Sequence, residues 1–211
     1  KDFSNSKIRK QFQETKTWKW YMPWRGKFDK SKYISDKKEL ENFYYNQGYK
    51  DFQIKNDSIL FRDDSIELYL DINEGEQYFI RNISFEGNQI KSDSLLYSVS
   101  GIKNGDLFNK SFFNQSSIES IRSLYMNEGF LNFNLESIIR PSFDSDEKNF
   151  LDIEFILNEN QIFTVNKIII SGNKNTYENV IRRELNIFPG DTFNRNKLYQ
   201  SITDLWRLNF F

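Results

Sequence analysis

The chain has 211 residues, 38 % of them hydrophobic and 17 % aromatic, with Phe (21) and Tyr (11) far ahead of Trp (4). That aromatic load fills several small cores and excludes an intrinsically disordered chain, while no apolar run approaches the ~18 residues of a spanning helix. Cysteine and histidine are both absent, which removes thiol and imidazole nucleophiles, a histidine general base and nearly all zinc chemistry.

The net charge is −1, but residues 1–50 hold 13 Lys or Arg against 6 Asp or Glu, and residues 51–211 carry the opposing negative surplus. The opening stretch KDFSNSKIRK is polar and charged, so this segment contains no secretory signal. In chain order, the first conspicuous segment is WKWYMPWRGKF (18–28), with three of the four tryptophans. Asp29 then caps a helix that Gly48 ends, and FQIKNDSIL, about 52–60, reads as a strand. Asp63 and Asp64 mark a hairpin, and LDINEG (70–75) closes a second strand.

After a short linker near 75–79, residues about 79–86 read as a strand with Ile83 and Phe85 on one face. Gly87-Asn88 turns the chain, and Ser92 or Asp93 caps a short helix expected to bury Leu95, Leu96 and Val99. Gly101 and Gly105-Asp106 break it, and Asn109 caps a longer helix striped with Ile118, Ile121, Leu124 and Tyr125. Gly129 ends that helix. LNFNLE (131–136) and FLDIEFIL (150–157) alternate as strands, with FDSDEKN (143–149) as a solvated hairpin rather than a calcium loop. A second linker lies near 159–163, and IIISGN (168–173) reads as a buried strand stopped by a turn.

These elements recur. Ile80, Ile83, Phe85 and Gly87 stand 85 residues before Val165, Ile168, Ile170 and Gly172, and GDLFNK (105–110) answers GDTFNR (190–195) at the same offset. FYYNQGY (43–49) parallels LYMNEGF (124–130) at 81, and Asp29 and Asn194 fill the capping slot of Asn109. Agreement in type and spacing over several segments is the mark of an internal repeat. One copy reads β-α-α-β-β, an α+β unit with two helices on the dry face of a three-stranded mixed sheet. The expected copies are 1–75, lacking its first strand; 76–159, complete; and 160–211, ending in or after its second helix. Three small open sheets in series are expected, articulated by short linkers.

Strand-Gly-Asn, Gly-Asp-x-Phe-Asn and helix-Gly-aromatic in a unit of this length resemble the polypeptide-transport-associated (POTRA) domain. GNKNTYENVIRRELNIFPGDTFNRNKLYQSITDLWRLNFF looks like the last such domain of BamA-type outer-membrane assembly factors, and the aromatic insert before FDKSKYISDKKELENFYYNQGYKDF looks like their third. The chain is then similar to domains three to five. Asn160 and Asn209 stand where that family usually has glycine. The resemblance implies a non-enzymatic periplasmic arm, tethered to the outer membrane by a C-terminal barrel outside this sequence. It also implies that the arm binds unfolded outer-membrane proteins and accessory lipoproteins. Related translocation or two-partner secretion components share the fold. A nucleic-acid-binding repeat protein using the basic N-terminal third is the rival from another class.

Three candidate surfaces follow. In this fold family the second strand of each copy lies at a sheet edge, so Gln53, Lys55, Asn132, Asn134 and Glu136 are candidates for strand addition. Arg182, Arg183 and Glu184, beside the core residues Ile181 and Leu185, read either as a solvated face or as a partner-docking patch. Trp18, Trp20, Tyr21 and Trp24 read either as rings packed on their own domain or as a contact for client, partner or lipid. No catalytic, cofactor or metal residues are expected.

Overall fold

The computed structural model describes residues 3–15, 28–63, 65–143, 149–174 and 176–208. It divides into two compact units: Lys1–Asn82 with Lys103–Gln115 and Ile139–Asp152, and Ile83–Ile102 with Ser116–Ile138 and Ile153–Phe211.

In the first unit, Ser4 caps the short α1 (Asn5–Arg9) and Asp29 caps α2 (Lys30–Asn46), accepting from the Ser31 and Lys32 amides. α2 lies over a hairpin of β1 (Gln53–Arg62) and β2 (Ser65–Asn73). Leu40, Tyr44, Tyr49 and Phe52 form the buried centre, flanked by Phe3, Ile8, Phe12, Ile54, Leu70 and Ile72. Tyr44 stacks on Phe52 at 4.1 Å and meets Tyr49 edge-on at 5.5 Å, geometries that add to the plain burial of apolar area. Asp36 is buried on α2, and its carboxylate accepts from the backbone amides of Gln13, Glu14 and Thr15 at 3.1, 3.2 and 2.6 Å. A buried carboxylate is tolerable because three donors replace its water.

The second sheet has the order β3 (Tyr78–Glu86), β5 (Asn149–Asn158), β4 (Asn134–Phe143), so the last strand in sequence is the central one. Leu151, Ile153, Phe155 and Leu157 of β5 are all buried, as the strict alternation of FLDIEFIL requires. Within the second unit, α3 (Asp93–Ser100), capped by Ser92, and α4 (Ile118–Met126) bury Leu96, Ile121 and Tyr125. A π-helical segment, Phe112–Ser117, leads into α4. Tyr125 stacks on Phe133 at 4.2 Å and meets Phe130 edge-on at 5.7 Å, repeating the first unit's aromatic cluster 81 residues later. The buried Glu159 accepts from both the Tyr125 hydroxyl at 2.8 Å and the Ile90 amide.

The 85-residue repeat is also written in backbone hydrogen bonds. Ile80 N–H donates to Asp106 O and Val165 N–H to Asp191 O, both at 2.8 Å; Phe108 donates to Tyr78 O and Phe193 to Phe163 O. Asn88 Nδ2 donates to Lys91 O, and Asn173 Nδ2 to Thr176 O. In both copies the asparagine side chain of the Gly-Asn pair closes the next turn, and Gly87-Asn88 also follows the end of a strand.

Four expectations need correction. The segment 168–171 forms no strand, and Ile169 is 74 % exposed, because the described residues supply no second strand beside it. For the same reason the described residues contain two sheets, not three. β4 starts at Asn134, so Leu131 and Asn132 lie in the preceding turn, where Leu131 is exposed. Leu95 is exposed on α3 and leaves the core contact to Leu96. The last copy otherwise contributes α5 (Glu178–Arg183) and α6 (Arg195–Arg207), with Asn194 capping α6.

Candidate functional site

Each described sheet is open, with β1 and β2 as the outer strands of the first and β3 and β4 as those of the second; β1 and β4 are the pair that the repeat makes equivalent. β1 pairs with β2 alone, in antiparallel register from Gln53↔Asn73 to Arg62↔Ser65. Ile54 faces Ile72 and Asn56 faces Asp71, so Lys55 is the extra residue of a β-bulge. Gln53 and Lys55 are both exposed. A bulge and an outward lysine are the usual devices for blunting an edge, and here they occupy only its start. From Asn56 to Arg62 the ladder is regular, and Lys37 on α2 pairs with Asp57 at 2.5 Å.

β4 is the matching edge of the three-stranded sheet. Asn134 opens the strand, exposed, and its side-chain amide donates to Glu136 Oε1 at 3.2 Å. Leu135 between them is buried. Asn132, expected in this strand, lies before it, and its carbonyl accepts from Asn160 Nδ2 at 2.7 Å. Asn160 takes φ 53°, the left-handed conformation that its glycine counterpart Gly75 adopts at 71°; asparagine is the residue type after glycine that tolerates it best. Pro141 lies inside β4. Proline occurs within sheets only on edges or at bulges, because it has no N–H for a neighbour. That signal was readable in the sequence and supports the edge position independently of the sheet order.

The charged patch divides in two. Arg182 is committed: its guanidinium donates to Glu178 Oε1 at 2.7 Å and to the Ile168 carbonyl at 3.2 Å. Among the described residues Arg183 reaches only the adjacent Glu184, at 2.9 Å, and its side chain is 64 % exposed. Ile181 is buried beneath them. Trp18, Trp20, Tyr21 and Trp24 lie outside the described residues, as do residues 144–148 of the acidic hairpin and Asn209. No group of three or more acidic residues arranged for a metal occurs among the described residues, and none of their helices is long and apolar enough to cross a membrane.

An α+β repeat of two helices over a small open sheet defines a class of modular domain arranged in tandem. The chain belongs to the POTRA family, described as "Surface antigen variable number repeat", whose sequence model matches residues 1–75, 78–160 and 163–211. It is similar to the outer membrane protein assembly factor BamA of Nitratidesulfovibrio vulgaris (25 % identity over 83 % of this chain and 22 % of that protein). It is also similar to BamA of Buchnera aphidicola (24 % identity over 91 % of this chain and 31 % of that protein). The chain thus spans less than a third of the length of either relative. In fold it matches the crystal structure of Haemophilus influenzae BamA POTRA3-5, with a TM-score of 0.74 and 23 % identity, over all of this chain and 82 % of that one. The repeats are POTRA domains of the BamA type.

Proposed function

We propose that this chain is the periplasmic arm of an outer-membrane β-barrel assembly factor and receives unfolded client chains by strand addition at β1 and β4. Three domains, 1–75, 76–159 and 160–211, corresponding to the third to fifth of such an arm, would hand clients to a membrane barrel outside this sequence. The arm would work without catalysis or cofactor. The observation that carries the reading is that equivalent strands of two successive copies are both left at an open edge. Pairing through the backbone suits a receptor for many client sequences, because it reads no particular side chain. Accessory subunits would dock on the last copy, where Arg183 is the more exposed arginine and Arg182 is also held by the Ile168 carbonyl.

Pro141 selects the residues for the test. Its nitrogen belongs on the open side of β4, and the two-residue period then puts the N–H of Ile139, Ser137 and Leu135 on that side as well. Ser137→Pro should therefore fold normally and lose capture of an extended client peptide, scored by site-specific cross-linking. Asn134→Ala should retain it, since the added strand uses backbone groups. Unchanged capture and barrel assembly throughout a proline scan of β1 and β4 would rule the mechanism out. For the last copy, Arg183→Glu is expected to weaken accessory-subunit binding with no appreciable change in melting temperature.

A further inference from the structure

At the end of α2, two residues before Gly48, the Asn46 side chain leaves its own helix, and its Oδ1 accepts from the Ser111 N–H at 2.9 Å. At the end of α4, two residues before Gly129, Asn127 Oδ1 accepts from the Asn196 N–H at 2.9 Å. Ser111 and Asn196 are equivalent residues 85 apart. Each is the second residue of the next copy's second helix, following the helix caps Asn109 and Asn194, which hold Phe112 and Lys197 one position further on. The first N–H groups of a helix have no partner within it. One copy thus supplies an acceptor that the next copy's helix lacks.

The surroundings repeat as well. The Tyr78 N–H donates to Gly48 O at 3.0 Å, and the Phe163 N–H to Gly129 O at 2.9 Å. Lys110 lies 4.2 Å from the Tyr45 ring, and its counterpart Arg195 lies 3.9 Å from the sulfur of Met126, which occupies the position of Tyr45. A Cβ on Gly48 would stand 2.7 Å from Leu107 Cδ1, and one on Gly129 2.6 Å from Thr192 Cγ2, so both glycines permit the close approach. Asn194 Nδ2 adds a bond to Asn127 O at 2.7 Å.

We propose that Asn46 and Asn127 are joint-setting residues: each fixes the orientation of the following copy by capping its second helix from outside. A short linker limits how far two domains separate, whereas a directional bond to a helix end also limits how they rotate.

The chain has no native cysteine, so Ser98→Cys and Gln200→Cys, both at exposed positions, give clean nitroxide sites on either side of the second joint. Pulsed dipolar spectroscopy on the full chain should give a narrow distance distribution that Asn127→Leu broadens and Asn127→Asp restores, since aspartate keeps the acceptor. An unbroadened Asn127→Leu distribution, or failure of Asn127→Asp to restore it, overturns the proposal. Amide exchange in the unsubstituted chain tests the same claim without any folding risk. A helix's second amide ordinarily exchanges freely, so Ser111 and Asn196 should both be protected. Rapid exchange at both would equally overturn it.

Discussion

Ile83 and Ile168 hold equivalent positions in two copies, yet only Ile83 lies in a strand. The turn and loop bonds on either side of the two segments agree within 0.2 Å, although Ser92 caps α3 with its side chain and its counterpart Tyr177 makes no such bond to α5. What differs is the neighbour. β3 belongs to a sheet centred on β5, whereas the described part of the last copy has nothing equivalent to β5. The comparison separates two kinds of instruction. Turn and cap residues act within a few positions and form wherever they occur, but a strand needs a partner to satisfy its backbone.

Four predictions sharpen that contrast, the largest effect first. Phe155→Ala should cost about 3–5 kcal/mol, because the ring is fully buried on the central strand and leaves a cavity. Ile169→Ala, at an exposed position of the last copy, should stay within about 0.5 kcal/mol. Chemical denaturation of both variants decides it, and comparable losses would show that the last copy's segment is core after all.

The next prediction compares two glycines with the same φ of 83°. A Cβ on Gly87 would collide with the Leu157 carbonyl oxygen, while one on Gly172 meets nothing within 4 Å. Gly172→Ala should cost about 1–2 kcal/mol from conformation alone, and Gly87→Ala about 1–3 kcal/mol more from the collision. Equal losses in thermal unfolding would mean the Gly87 turn relaxes freely.

Third, Tyr125→Phe takes one of two donors from the buried Glu159 and should cost about 2 kcal/mol. Tyr44→Phe removes the equivalent 2.7 Å bond to the half-buried Glu74 and should cost about 1 kcal/mol. The smallest effect is a pH dependence confined to one joint. Tyr78 donates to Asp51 at 2.6 Å, but its counterpart at the second joint is Phe163. The Asp51 hydrogen bond first, and burial second, raise the Tyr78 hydroxyl from 10.0 to about 12. A phenol held more tightly protonated in the folded state contributes fully below pH 10, and that contribution is lost as pH rises through about 12. Amide exchange at the first joint should rise across that window, and Tyr78→Phe should abolish the rise.

Much of this was legible in the sequence wherever the physics is local. Asp29, Ser92, Asn109 and Asn194 cap the helices they were expected to cap, because capping needs only a short polar side chain and the next turn. The alternation over 150–157 placed all four inward residues of β5. Strand limits were less certain: Leu131 fits the alternating pattern, but the turn after Gly129 consumes it, together with Asn132. Asn46, Asn127 and Asp36 were invisible for a different reason. Their partners lie 65, 69 and 21 to 23 residues away, and no local pattern marks an acceptor whose donors arrive only through the fold.

The proposal that clients add to the open edges is tested most directly by titrating the isotope-labelled chain with an extended peptide from an outer-membrane barrel strand. Amide shifts should change first along β4, at Leu135, Ser137 and Ile139, and along β1, while Ile153 and Phe155 on the central β5 stay still. Binding that moves neither edge, or that perturbs α5 and α6 instead, would contradict the proposed strand addition.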